Sequence, residues 1–423
     1  MRRLLPFLLL VAIGPASGAP PDAGPEWTEA KTDALRALAR EYAGKGDRYG
    51  KDEVLERTRK LGPIPDRPLK DVVKALFTVA REGPKSEGGG TCTAKFPRFP
   101  GTYQLSGSGG GRKGVFIGLH GGGPGVGEGG SAAGQWGGAT GKGLIGVFPT
   151  ANLSGRDTTW QSPDVEAFVI AILAELKRTF PIDTNRVYIA GHSLGGSGAY
   201  HIGLRHADLF AAVSPNAGGC HGVEVKPGVF EVPGGFVANL LHTGCFITHY
   251  DLDPRVGVGD SRAVARELDE LAAQHPGGYD HVYIEGQGVN HGFPPKGDPS
   301  TIISWMTRHV RTPCPKKVVW EPANPEKRLF YWLRMASPFG GSRNGRIVAT
   351  IEDNVIEVRG LSTMGLSVLL AEEMFDARRP LAVRLEGKEV FSGLLSRDPR
   401  ALVESVMENI DPAQVFTYRF DLP

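Results

Sequence analysis

A serine set between glycines, Gly191-His192-Ser193-Leu194-Gly195, is the pattern in this chain that most directly suggests covalent chemistry. A serine hydroxyl attacks a carbonyl only when a neighbouring base takes its proton during the attack. Glycines on both sides let a strand turn sharply into a helix with the hydroxyl exposed at the bend. The five letters alone are weak evidence. With 59 glycines among 423 residues, a shuffled chain would contain them about 0.4 times. Position strengthens the pattern, because residues 186–190 read as a strand and the residues from Gly195 onward as a helix.

The base should lie on a loop after a later strand. His291, in Gly288-Val289-Asn290-His291-Gly292, follows the strand 281–284 and precedes a last helix. His281 falls at the start of that strand, on the far side of a sheet, and His249 ends another strand as a weaker rival. An acid to orient the imidazole should follow strand 245–249, where Tyr250-Asp251-Leu252-Asp253-Pro254 offers two carboxylates. Asp253 is preferred because its turn can face the His291 loop. Asp251 stays as the alternative, and either could be an ordinary turn aspartate. His120-Gly121-Gly122-Gly123 follows strand 115–119, and backbone N–H groups of Gly121 and Gly122, with that of Leu194, could stabilise an oxyanion by ~3 to 4 kcal/mol per donor. His120 and His192 are read as structural.

The elements that must position these groups alternate between strand and helix from about residue 91 to 312. Strands are expected at 115–119, 144–148, 186–190, 210–214, 245–249 and 281–284. Between the second and third, Val165, Phe168, Val169, Ile172, Leu173 and Leu176 form one apolar stripe of a helix, with Ser162 expected as its N-cap and Pro163 in its first turn. Helices at 260–274 and 300–310 follow. This is the sign of a mostly parallel sheet covered on both faces, an α/β class.

Flanking regions differ in character. Arg2 and Arg3, the apolar run 4–13 and small residues up to Ala19 have the three parts of an export signal, so residues 1–19 are set apart and the protein is expected to be periplasmic or extracellular. Residues 20–90 read as helices and a linker, with Leu35, Leu38 and Tyr42, then Val72, Val73, Leu76 and Phe77, at helical spacing and a break at Gly62-Pro63-Ile64-Pro65. From 313 to 423 short alternating runs at 347–351, 355–358, 381–385, 390–394 and 416–420 imply a β-rich accessory domain. Asp353-Asn354 and Glu386-Gly387-Lys388 mark its turns. Trp320, Tyr331 and Trp332 are expected to pack at a boundary rather than bind a ligand.

With 40% hydrophobic and 22% charged residues the chain can bury a core, and a net charge of +2 with no basic stripe gives no reason to expect nucleic acid. No membrane span is expected, since a run of about 10 apolar residues is half the ~20 a bilayer needs. The four cysteines permit disulfides in an exported protein, and a Cys92–Cys314 bridge would join the ends of the central domain. Nothing has zinc-ligand spacing. Oligomeric state leaves no trace in the sequence.

Residues 114–123, 185–218, 253–262 and 288–292 together resemble the polyhydroxybutyrate-depolymerase-like and feruloyl-esterase-like branch of the α/β-hydrolases. Residues 191–198, with Pro215-Asn216-Ala217-Gly218, are also similar to secreted peptidases and dienelactone-hydrolase-like proteins. The resemblance implies a cofactor-free triad of Ser193, Asp253 and His291. The glycine-rich stretch 124–143, Asp251-Leu252 and the long flanking regions depart from it. Cleavage of a small-molecule or polymeric carboxylic ester through an acyl-enzyme is the leading expectation. A serine peptidase of prolyl-oligopeptidase type and a non-catalytic binding protein on the same fold are the alternatives. Residues 124–143 and 219–241 are expected to wall the substrate pocket.

Overall fold

Apolar residues at three- and four-residue spacing fold the N-terminal segment into three helices: α1 (Glu29–Gly44), α2 (Arg48–Arg59) and α3 (Leu69–Ala80). Thr28 caps the first through Lys31 N–H, and Asp47 caps the second through Gly50 N–H. The Gly62–Pro65 break separates α2 from α3. The computed structural model describes residues 26–94, 101–122, 127–151, 159–220, 236–322, 327–336, 345–360 and 365–423. The expected export signal, Gly123 and parts of 124–143 and 219–241 lie outside them.

The central region follows as β1 (Gly90–Ala94), β2 (Gly101–Ser106), β3 (Lys113–Leu119), α4 (Gly129–Trp136), β4 (Leu144–Pro149), α5 (Pro163–Thr179) and β5 (Ile182–His192). It continues with α6 (Leu194–Arg205), β6 (Ala212–Asn216), β7 (Gly244–Tyr250), α7 (Gly259–Gln274), β8 (His281–Gly286) and α8 (Pro299–Met306). Its eight strands form one sheet in the order β1-β2-β4-β3-β5-β6-β7-β8. β2 alone runs against its neighbours, while the β4-β3-β5-β6-β7-β8 pairings are parallel. That order and that single reversal are the α/β-hydrolase fold. Strands β4, β6 and β7 are buried along their whole length, as expected where helices cover both faces.

One consequence of this topology locates a crevice. From β3 the chain leaves toward β4, and from β5, which pairs with β3 on the other side, it leaves toward β6. Loops departing in opposite directions from adjacent strands open a gap at the carboxyl edge of the sheet. The His120-Gly121 segment and Ser193 flank that gap.

The C-terminal region contains β9 (Lys317–Trp320), β10 (Leu329–Phe330), β11 (Leu333–Met335), β12 (Ile347–Glu352), β13 (Val355–Arg359) and β14 (Leu366–Leu370). β15 (Leu381–Leu385), β16 (Lys388–Gly393), α9 (Pro399–Asn409) and β17 (Tyr418–Asp421) complete it. They make a sheet ordered β16-β15-β13-β12-β9 and another ordered β10-β11-β14-β17. Asp353 and Asn354, both left-handed with φ of 46° and 59°, form the two-residue turn between β12 and β13. Trp320 and Trp332 are buried; the stacking of Trp320 on Phe330 and the Trp332 bond to Pro315 O leave neither on the surface.

Two expectations need correction. The four cysteines are free: Cys92 Sγ faces Gly90 O within its own edge strand, whereas Cys314 Sγ faces Ala413 O. Ser162 stands before α5, but its hydroxyl accepts from Thr159 N–H instead of capping the helix. The β-rich region also contains α9, whose Leu402, Val403 and Val406, with Ile410 just after the helix, share one core with α1, α2 and α3.

Candidate active site

Ser193 occupies the bend between β5 and α6 with φ 59° and ψ −124°, outside the regions a side chain ordinarily tolerates. Such strain, on the order of 1 to 3 kcal/mol, persists only where the surroundings over-determine it. They do so here by close approach. A Cβ on Gly191 would sit 2.0 Å from Gly195 O, and one on Gly195 would sit 2.3 Å from Leu119 O. Strand and helix can therefore fold back on each other only with glycine at both positions. Asn216, buried at the end of β6, braces the bend. Its carbonyl accepts Ser193 N–H, its Nδ2 donates to Gly191 O and Ser214 O, and its Oδ1 accepts from Thr248.

The structure brings Ser193, His291 and Asp253 together. Asp253 Oδ2 lies 2.6 Å from His291 Nδ1, and because a carboxylate only accepts, Nδ1 carries the proton. His291 Nε2 is then an acceptor, 2.8 Å from Ser193 Oγ. Asp253 has no exposed side-chain surface, while His291 retains 14%. Burial alone would raise the Asp253 carboxyl, but N–H groups of Val256 and Arg255 and the His291 imidazole outweigh it and hold the group below its usual value. The carboxylate is thus charged where the imidazole needs it.

Asp251 lies elsewhere. Its Oδ1 accepts Gly288 N–H at 2.7 Å, and its own N–H donates to Gly286 O, so it ties the acid turn to the His291 loop without touching the imidazole. His281 is turned to Tyr279 O and Asp269. His249 is fully buried below Asp253. His192 packs its ring 5.0 Å from that of His291 and 4.8 Å from Phe293, which in turn meets the edge of Trp136 at the end of α4. Burial, and then the neighbouring His291, push His192 down to about 4, so it stays neutral and supports its neighbour by contact.

On the other wall, Gly121 lies against the elbow: a Cβ there would stand 3.1 Å from His192 O and 3.3 Å from Ser193 Cβ. Gly122 follows, exposed, with φ 116°. Leu194 is the first residue of α6, where backbone N–H groups have no intrahelical partner and the helix dipole is positive. His120 holds this segment. Its Nδ1 donates to Gly121 O, its Nε2 accepts Ala151 N–H, and Trp160 Nε1 donates to His120 O. Sequence reasoning had no signal for Asn216 as a brace, since its role depends on strand register. Among the described residues no group of three or more His, Cys, Asp or Glu is placed to hold a metal ion.

The Esterase family model matches residues 156–239, a stretch that holds the elbow but neither Asp253 nor His291. The bifunctional acetylxylan esterase/xylanase XynS20E of Neocallimastix patriciarum is 31% identical over 80 residues. That match spans 19% of this chain and 12% of the length of that protein. Among solved structures, a thermostable esterase superposes with a TM-score of 0.41 at 22% identity, covering 52% of this chain and 62% of that one. Est1E from Butyrivibrio proteoclasticus gives 0.38 at 14% identity, covering 52% and 97%.

Proposed function

We propose that this protein, built on the α/β-hydrolase fold, is a serine esterase in which Ser193 attacks a carboxylic ester. The continuous contact from Ser193 Oγ through the His291 imidazole to Asp253 carries this reading. As Oγ bonds to the ester carbonyl carbon, its proton passes to His291 Nε2, and Asp253 stabilises the imidazolium without taking the proton itself. The developing oxyanion faces the Gly121-Gly122 backbone and the N–H of Leu194 at the positive end of α6. Collapse expels the alcohol, protonated by His291, and leaves an acyl group on Ser193. Water, deprotonated by the same imidazole, then releases the acid.

The substrate is an ester whose acyl and alcohol parts meet the loops beside the crevice, and acetyl groups on a polysaccharide belong in any test because of the short match to the acetylxylan esterase. The N-terminal signal pattern supports export. Matched p-nitrophenyl acetate, acetylated xylan, feruloyl ester and anilide substrates separate esterase from peptidase. We expect ester turnover to exceed anilide turnover by about a thousandfold or more, since an anilide is the poorer leaving group and asks more of His291 as general acid. Anilide or peptide cleavage at a comparable rate would replace the esterase reading with the peptidase one.

A further inference from the structure

His249, at the penultimate position of β7, has no exposed side-chain surface, and the reaction scheme above does not use it. Its contacts are nonetheless directional. Val256 O can only accept, so His249 Nε2, 3.0 Å away, carries the proton. Nδ1 is then an acceptor and takes the hydroxyl proton of Ser261 at 2.8 Å. Tyr200 OH, on the helix that begins at the nucleophile, lies 3.3 Å from Ser261 Oγ. The His249 Nε2 that serves Val256 O is also 3.4 Å from Asp253 Oδ2, the same oxygen that receives His291 Nδ1–H.

We propose that His249 is a positioning residue for Asp253, holding the carboxylate against His291 from the buried side of the acid turn. The geometry supports two linked effects. By binding Val256 O, the imidazole fixes the turn whose Val256 and Arg255 N–H groups grip Asp253 Oδ1. With its N–H aimed at Val256 O, the same Nε2 also stands 3.4 Å from Oδ2, where the polarised edge of the ring opposes rotation of the carboxylate away from His291. The donors run from Tyr200 through Ser261 to His249, so the acid turn is referenced to α6, the helix that also carries the nucleophile's bend. A displacement of one would then be resisted by the other, which keeps reacting groups in register.

Among the described residues, Asp253, His291, Asp260 at the start of α7, Glu285 near the end of β8 and His192 at the elbow face His249. His192 faces His291 from the elbow.

This inference rests on the triad reading for its kinetic consequence, but its test has a readout independent of turnover. The imidazole nitrogens of His291 are titrated by NMR in the full-length protein, in His249→Leu and in His249→Gln, which can still offer an N–H toward Val256 O and Asp253. We expect the His291 titration midpoint to fall by about half a pH unit or more in His249→Leu, because imidazolium loses part of its carboxylate partner, and to return toward the parent value in His249→Gln. In the same proteins, kcat for an ester should fall between about ten- and a hundredfold in His249→Leu at nearly constant KM. An unchanged His291 titration in folded His249→Leu overturns the proposal. If that variant does not fold, Ser261→Ala loosens the same imidazole without emptying its site, and an unshifted midpoint there has the same force. Absence of ester turnover in the parent protein would defeat the esterase reading and leave the titration result to judge this one.

Discussion

At the scale of single residues, the site works by keeping some imidazoles neutral and one available. His120 and His249 are lowered by burial, and His192 is pushed down to about 4 by burial and by His291. The sign of the consequence follows from linkage. A histidine whose folded value lies below its usual ~6.5 binds a proton in the unfolded chain before the folded one does. Stability from His192 is therefore complete above about pH 6.5 and is lost as pH falls toward about 4, at most about 3 kcal/mol. We expect the melting temperature to drop between pH 7 and pH 5, and the drop to shrink in His192→Phe, which keeps the ring contacts. Thermal denaturation across that range checks this; an equal drop in both proteins contradicts it. Ser193 and His291, the candidate nucleophile and base, could be found in the sequence because each stands in a glycine-flanked segment after a readable strand. The choice between Asp251 and Asp253 rests on which way a turn points, and only the coordinates show that Asp251 meets Gly288 N–H while Asp253 meets the imidazole.

At the scale of elements, the elbow is a joint between three strands. β5 delivers Ser193, β3 closes over Gly195, and β6 ends in Asn216, whose amide bridges back to Gly191 and accepts from Thr248 on β7. Asn216→Ala would orphan the Thr248 hydroxyl and Gly191 carbonyl in a buried place, costing ~1 to 3 kcal/mol and slowing turnover as the bend relaxes. Urea unfolding together with kcat measures both; loss of stability with kcat intact would show that Asn216 has no part in holding the bend. Strands β3 to β8 were legible within a few residues because each is an apolar run next to glycine-rich turns. β1 and β2 were not: β1 is a short edge strand exposed at three of five positions, and its neighbour β2 alternates buried and more open positions over only six residues. The α9 helix was readable in principle: Asp398-Pro399 begins it, and Leu402, Val403 and Val406 recur at helical spacing inside a region of β alternation.

At the scale of the whole molecule, the flanking regions are joined to the catalytic sheet and to each other. One contiguous buried cluster runs from β3 and β5 through Trp320 and Trp332 to the C-terminal sheets. Arg334 on β11 meets Glu404 on α9 at 2.9 Å and Asp52 on α2 at 2.5 Å, tying both flanks together. Arg311, just after α8, pairs with Asp411 beyond α9, both essentially without exposure, and also donates to Asn185 on β5 and Asp208 O. Removing one partner of such a pair leaves a buried charge alone. We expect Arg311→Met to destabilise the protein by about 3 to 5 kcal/mol, and Arg311→Met combined with Asp411→Leu to recover much of that. Denaturant midpoints of the single and double variants decide it; additive losses would mean that the pair is not coupled. Composition could suggest two flanking units, yet their contacts with each other involve side chains hundreds of positions apart, such as Tyr42 and Glu408, which no local pattern reveals.

The proposed reaction requires that Ser193 become acylated. Brief mixing of the protein with p-nitrophenyl acetate, acid quenching and peptide mass spectrometry measures this directly, with Ser193→Ala as the control. We expect an acetyl group on the peptide carrying Ser193, a matching burst of p-nitrophenol, and neither in Ser193→Ala. Full hydrolysis by Ser193→Ala, or acetyl on another residue as the productive intermediate, would contradict it.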